Sequence, residues 1–384
     1  MVHFKLYSSV DELPKEWNVI PTDDIFLKTG FLSALEKSSP SNIRSFYVGV
    51  FSSETLVGIA VLQRVELYAE DIFRNVQRHW LKNLGKDLVS AIAKGNAIIV
   101  GNLMHTGQHG FSFASEAISQ EAFLDSIVAA IAQLSAQIKT QIGKKIRVVA
   151  FKDYFENDAI HSSAALFQSQ NLYKVQMQPN MMLSIAPEWT SPPDYVLAFN
   201  KKYRRRYTTA RKKLNPFTAR ELSLEQIKTH QETIYDLYES VSDNAGVNSF
   251  KLHPHHFYEL KSHLNESFKL FGYFKDEQLV GFYTLILNGI HLETYFLGYH
   301  QQLQHEHHMY LNMLYDMAFF GITQQFKTVI FARTAMEIKS SVGAKPHVMD
   351  VYLKHTHTFF ANRILKLIVK YMNPVKDWEE RHPF

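Results

Sequence analysis

The sequence holds no cysteine in its 384 residues. That excludes disulfide scaffolds, zinc ribbons, thiol nucleophiles and cysteine-ligated iron–sulfur clusters together. Proline (12) and glycine (16) are too scarce for collagen-like or low-complexity chain. Neither sign of charge dominates: 41 Lys and Arg against 37 Asp and Glu leave +4. No global field therefore commits the protein to DNA, and any basic contact surface must be local. Long hydrophobic runs are also missing; Lys94 interrupts the run from Leu88 to Val100, short of the roughly 20 apolar residues of a membrane span. The opening Met1-Val-His-Phe-Lys lacks the pattern of a secretory signal. The expectation is a cytoplasmic protein, with peripheral contact at the inner membrane left open. What is present is a globular balance, 46% hydrophobic and 20% charged, at a length of two to three domains of about 150 residues.

Pro187-Glu-Trp-Thr-Ser-Pro-Pro193 falls near the midpoint. It reads as an extended connector because Pro restricts both its own φ and its predecessor's conformation. It divides an expected domain 1–186 from one at 194–384. The halves share a segment: 45–62, with Leu56-Val57-Gly58, matches 268–285, with Leu279-Val280-Gly281. Both read as strand, polar turn and strand. Periodicity places a helix at 24–37, a hairpin at 45–66, a strand at 97–101, a helix at 116–139 and a strand at 145–151. The second half predicts a strand at 217–224, helices at 225–243 and 254–264, and a hairpin at 269–287. A strand at 291–298, a helix at 309–325 and a strand at 328–333 complete it. Strands first in a meander and then joined across helices predict a mixed α/β sheet, duplicated.

That order, helices, a hairpin ending in a Gly-containing strand, a further strand, a helix and a strand, resembles the GNAT acyltransferase fold. Two copies, with a basic helix opening the second, resemble the Fem-type and related tandem-GNAT acyltransferases. Lys202-Tyr-Arg-Arg-Arg-Tyr-Thr-Thr-Ala-Arg-Lys-Lys213, the segment Phe331–Pro346 and the terminal Trp378-Glu-Glu-Arg-His-Pro-Phe384 carry the likeness. The resemblance implies an N-acyltransferase that moves an acyl group from a thioester, with acyl-CoA as co-substrate, to a primary amine. The amine is expected to be a small molecule, a lipid or a cell-envelope precursor. An aminoacyl-tRNA-dependent transfer to peptidoglycan precursors is the alternative, although a single basic helix is a small footprint for tRNA. A duplicated fold that only binds a ligand is a third reading.

Single-domain GNAT enzymes grip pyrophosphate with a Gln/Arg-x-x-Gly-x-Gly/Ala turn, and no such turn follows Gly298. The first half offers Gly101-Asn-Leu-Met-His-Thr-Gly-Gln-His-Gly110. Asn102, Thr106, Gly107 and Gly110 are its candidate cofactor contacts, the glycines as a backbone nest for phosphate. The segment 201–213 holds eight Lys or Arg in thirteen residues. Its Tyr203, Tyr207, Ala210 and Leu214 form one helical stripe, which turns the charges outward. Arg204, Arg205 and Arg206 stand as a solvated face or as contacts to cofactor phosphate, tRNA or anionic lipid.

Strand alternation over 291–299 puts His291, Glu293, Tyr295 and Tyr299 on one face. Glu293 is the candidate base for the amine's proton. The resemblance assigns Tyr310 the protonation of a leaving thiolate. Thr334 and Glu337 read as a capping box, with Gly343 at the helix exit; Arg333 and Lys339 are left unexplained by it and join the site candidates. The catalytic set, Glu293, Tyr295, Tyr299, Tyr310, Arg333 and Lys339, is expected between the halves. Nineteen His include 305, 307 and 308 and 253, 255 and 256, yet no His-Glu-x-x-His spacing accompanies them, so no metal is expected. Finally, 359–371 is amphipathic, with Phe360, Ile364, Leu367, Ile368 and Tyr371 on one face and Arg363, Lys366 and Lys370 away from it. It reads as a packed surface helix or as an interfacial membrane contact.

Overall fold

The computed structural model describes residues 1–20, 22–67, 95–244, 249–357, 359–372 and 378–384, without the side chains of 368–372. Residues 88–94 of the interrupted apolar run, and the side chains of Ile368, Lys370 and Tyr371, lie outside the described residues. Two compact units emerge. Unit 1 comprises Met1–Met177, Gly246–His253 and Val348–Val375; unit 2 comprises Gln178–Ala245, Pro254–His347 and Lys376–Phe384.

Unit 1 begins with an antiparallel meander, β1 (Val2–Tyr7), β2 (Ile43–Ser52) and β3 (Thr55–Leu67). β4 (Gly95–Val100) adds antiparallel to β3, and the short β5 (Phe111–Phe113) pairs with β3 off the main path. β6 (Ile146–Phe155) then runs parallel to β4. The described helices of this stretch are α1 (Thr29–Lys37), α2 (Gln120–Ile142) and α3 (Ala164–Ser169). α2 starts where the Ser119 hydroxyl accepts the Ala122 N–H, and ends where Gly143 turns left-handed at φ +67°. Its Phe123, Ile127, Ala130, Leu134 and Ile138 recur at helical spacing and are buried against Val48, Ala60, Ile98 and Val149 of the sheet.

In unit 2, residues 178–184 of β7 (Tyr173–Ser184) lead into α4 (Pro192–Ala198) and α5 (Lys201–Leu214). The Pro-rich stretch expected to be a connector is the start of α4, inside this unit. Pro192 and Pro193 occupy its first turn, where a missing N–H costs nothing. The Asp194 carboxylate accepts from the N–H groups of Ser191 (2.9 Å) and Thr190 (3.1 Å). Trp189 is buried, its ring 5.1 Å from that of Tyr195. β8 (Thr218–Glu221) follows, then α6 (Leu224–Thr229), α7 (Gln231–Ser242) and α8 (His256–Leu264). β9 (Phe268–Lys275), β10 (Gln278–Asn288) and β11 (His291–Tyr299) form the second meander. After α9 (Gln301–His307) and α10 (Met309–Thr323), β12 (Thr328–Ile330) lies parallel to β11 and antiparallel to β7, and α11 (Met336–Ser340) ends the run.

The chain then returns to unit 1. β13 (Lys345–His355) pairs antiparallel with β6, Met349 opposite Phe155 and His355 opposite Val148, before α12 (Phe359–Met372). Residues 378–384 belong to unit 2, where the Phe384 ring stacks on Phe199 at 5.4 Å. The fold is thus the mixed α/β sheet with two meanders that the sequence implied, with β13 placed in the earlier unit.

Candidate functional site

β11 carries the candidates Glu293, Tyr295 and Tyr299, and β12 lies beside it in unit 2. They pair over three residues only, His291–Glu293 with Thr328–Ile330. The reason is that Phe331 donates its N–H to the Met181 carbonyl (2.8 Å) and Ala332 accepts the Met181 N–H (3.1 Å), drawing the chain toward β7. Beyond Glu293 the parallel ladder ends and β11 continues on β10 alone.

A bulge then changes what β11 presents. Pairing passes from Leu285–Thr294 to Tyr283–Leu297, so one residue of β11 is extra. Tyr295 and Phe296 both turn toward α7 and α8: the Tyr295 hydroxyl is 3.1 Å from His256 Nε2, and the Phe296 ring is 5.6 Å from Tyr238. A one-residue shift flips every later side chain. Tyr299 therefore joins the core under α10, its ring 6.4 Å from Tyr310. The expected single row is corrected: Glu293 and Tyr295 share one face, and Tyr299 and Tyr310 occupy the other. Glu293 is buried. Burial pushes the Tyr295, Tyr299 and Tyr310 phenols up, so all three stay protonated at neutral pH.

Thr334 does not cap a helix. Ala332, Thr334 and Ala335 have φ of +59°, +66° and +48°, and α11 begins one residue later, with no side-chain cap. Positive φ is a strained choice for non-glycine residues, most of all for β-branched Thr. The buried Lys339 holds this turn, donating from Nζ to the carbonyls of Ala332 (3.1 Å) and Arg333 (2.5 Å). Burial pulls the Lys339 pKa down to about 7. Glu337 faces Arg381 at 3.4 Å instead of closing a capping box.

The basic helix α5 does dock by its aromatic stripe, with Tyr203 and Ala210 buried. Arg211 departs from the expected outward row: its guanidinium meets Asp316 at 2.6 Å and lies 4.9 Å from the Phe319 ring centroid. Arg204 is spent on its own helix entry, donating to the carbonyls of Phe199 (2.8 Å) and Leu197 (3.2 Å). Arg205 and Arg206 join Lys202, Thr209, Gln304 and His308 around a hollow of about 320 Å³ floored by Leu311 and Ile338. A second hollow of about 370 Å³ shares Lys202, Arg206 and Ile338 and adds Glu337 and Arg381.

The cations at the start of α5 oppose its own dipole, an arrangement that an anionic ligand would relieve. The start of α10 borders the same hollow: His308 is its N-cap in left-handed conformation, and Gln304 accepts the Tyr310 N–H at 2.7 Å. Burial, with Lys213 and Arg206 nearby, holds the His308 imidazole below its ordinary pKa, hence neutral. Lys202, Thr209, Gln304 and Ile338 were not among the sequence candidates, and His308 entered only as one of the histidines of 305–308. The one available signal was a run of cations at a helix start, where carboxylates are the rule.

The Gly101–Gly110 loop of unit 1 is built differently from the expected phosphate nest. The Gly107 N–H donates to the buried Asp153 carboxylate (3.2 Å), and the Gly110 N–H donates to Gln108 Oε1 (2.9 Å). Asn102 is buried, its Oδ1 accepting from Gln63 (3.1 Å) and the Met104 N–H (2.9 Å). Thr106 lies in the same loop, partly exposed. The Asp153 carboxylate is itself paired with Lys152, whose Nζ also donates to the His105 carbonyl (2.7 Å), and both glycine N–H groups are already engaged. His105 stacks on Phe26 at 4.0 Å, and the neighbouring His109 meets Asp24 at 2.7 Å. Among the described residues no group of three or more His, Asp or Glu is arranged to hold a metal ion.

No protein-family model and no curated protein matches the chain. Solved structures do. A tandem GNAT protein from the clavulanic acid biosynthesis pathway superposes with TM-score 0.54 at 9% identity, over 92% of this chain and 98% of that one. FemX superposes with TM-score 0.52 at 10% identity, over 90% of this chain and 96% of that one. Both cover nine-tenths or more of this chain and so span its two units: the protein has a tandem GNAT-like fold.

Proposed function

We propose that the protein is an N-acyltransferase that holds a phosphate-bearing thioester, such as an acyl-CoA, in the basic cleft of unit 2 and transfers its acyl group to a primary amine. The observation that carries this reading is the convergence of Lys202, Arg205 and Arg206 with Gln304 and His308 at the start of α10. Guanidinium groups suit phosphate by bidentate donation, and a helix start adds N–H donors of the same sign. The amine attacks the thioester carbonyl, the C–S bond breaks, an amide forms and the thiol leaves. The amine's surplus proton passes to a base. His308, held neutral beside the cleft, is the candidate base on the Tyr310 side; Glu293, buried where the parallel ladder ends, is the candidate if the amine enters from the other face of the sheet. Tyr310, kept protonated by burial, is the donor assigned to the leaving thiolate.

Thermal shift and calorimetry with acyl-CoAs of several chain lengths, and with aminoacyl-tRNA, test the reading. Binding of acyl-CoA weakened at least about tenfold in Arg205→Ala/Arg206→Ala is the expected result, as charge-assisted hydrogen bonds are lost. Glu293→Gln and His308→Asn assign the base, since its loss costs about 10²-fold or more in rate. Binding of aminoacyl-tRNA alone would move the donor to the Fem-type class. Binding of neither would leave a ligand-binding module.

A further inference from the structure

Among the described side chains of helix α12, residues 359–367, only Leu365 is buried. Phe359, Phe360 and Leu367 are 75%, 71% and 62% exposed, and Arg363 and Lys366 are exposed with them. At 100° per residue these five fall within an arc of about 120°, opposite Leu365. Other exposed large hydrophobics, such as Val19, Ile142 and Ile290, are scattered over distant segments, which is ordinary for a soluble surface. The α12 trio is not scattered: two phenylalanines and a leucine share one face with two cations between them. The sequence set Phe360 and Leu367 on an apolar face, packed or interfacial, with Arg363 and Lys366 away from it; the structure leaves all four exposed.

Charge identifies the occupant. From residue 351 to 376 the chain carries five Lys or Arg and no Asp or Glu. A groove of about 450 Å³ runs beside α12, lined by Arg363, Lys366, Asn171 and Tyr173. Lys366 Nζ stands 5.8 Å from the Tyr173 ring centroid, and among the described residues the Tyr173 hydroxyl has no hydrogen-bond partner. Two copies pairing by this face would set Arg363 and Lys366 of one against the same cations of the other, which like charge disfavours. Apolar rings with interleaved cations match the boundary of an anionic bilayer, where rings enter the acyl layer and Lys and Arg reach the phosphates. Among the described residues no helix is long and apolar enough to cross a membrane.

We infer that α12 is an interfacial anchor that seats unit 1 on an anionic phospholipid surface, with Phe359, Phe360 and Leu367 inserted and Arg363 and Lys366 on the headgroup phosphates. The surface is separate from the donor cleft of unit 2 and stands whether or not that cleft takes a thioester.

The test is co-sedimentation of the full chain with vesicles of phosphatidylglycerol and phosphatidylcholine mixed, and of phosphatidylcholine alone. Binding to the anionic vesicles only, weakened by salt, is expected. Arg363→Gln/Lys366→Gln should weaken it about 30-fold, from about 1 kcal/mol per cation. Phe359→Ser/Phe360→Ser should weaken it at least about tenfold at unchanged melting temperature, because both rings are already in water. Arg205→Ala/Arg206→Ala should leave vesicle binding unchanged. Equal binding to both vesicle types, or none to either, overturns the inference. So does a concentration-dependent dimer abolished by Phe359→Ser/Phe360→Ser without vesicle binding, which would make the face a contact between copies.

Discussion

Lys339 and His105 are buried basic groups whose neutral forms the fold favours, and they act in different pH windows. Burial lowers the Lys339 pKa to about 7. Burial first, then His109 and Lys152, takes His105 well below its usual value. In both cases the unfolded chain binds the extra proton, so stability is present above the unfolded pKa and is lost as pH falls. For Lys339 the window runs from about 10.4 down to about 7. Wild type should therefore gain up to about 1.4 kcal/mol per pH unit over Lys339→Met between pH 7.5 and 9.5, read from urea midpoints. Parallel curves would show that the amine stays charged in the fold. For His105 the window opens below about 6.5. Wild type should lose up to about 1.4 kcal/mol per unit relative to His105→Phe from pH 6.5 to 5; no divergence there would mean that the imidazole is charged when folded.

Among the elements, β11 depends on a glycine for its contact with α7. A Cβ at Gly298 would lie 2.4 Å from the Leu237 carbonyl carbon and 2.5 Å from the Tyr238 nitrogen, both backbone atoms that cannot step aside. Gly298→Ala should cost about 2–3 kcal/mol or more and reduce turnover by shifting the bulged strand. A wild-type melting temperature with full turnover would show that α7 is free to move. This strand also marks the limit of what the sequence made legible. The hairpins, α2 and the stripe of α5 were visible because periods of 2 and 3.6 are written locally. The bulge at Tyr295–Phe296 was not, since two aromatics in a row carry no sign of an extra residue. β7 hid behind Gln176, Gln178, Pro179 and Asn180, none of which signals a strand. The capping pattern at Thr334 was read correctly as a pattern and is unused, because Lys339 holds a tighter turn there. Of the candidate site, Arg205 and Arg206 were legible as charge. Gln304 was not, and His308 was legible only as one of a histidine cluster, because only the fold brings the two to α5.

For the whole molecule, the division of the chain is not a single cut. Unit 1 contains β13 from Val348 on, and its Tyr352 lies in the same core as Phe151, Tyr154 and Phe167. A fragment ending at residue 186 would lack that strand and expose the β6 edge, a template for aggregation. It should be aggregation-prone and show fast hydrogen exchange along β6, with both reduced when a peptide spanning 345–357 is supplied. A monomeric, well-protected 1–186 fragment would show instead that β13 is dispensable to that core.

The same placement of β13 governs how the protein is made. Phe155 and its partner Met349 are separated by 194 residues of chain. At about 5–20 residues per second, β6 leaves the ribosome about 10–40 s before β13 can reach it. Throughout that interval the nascent chain carries an unpaired strand edge while nearly all of unit 2 is still being synthesised, so chaperone demand should fall on the half that emerges first. The earlier-made half of the protein waits for almost the entire chain before its sheet is complete.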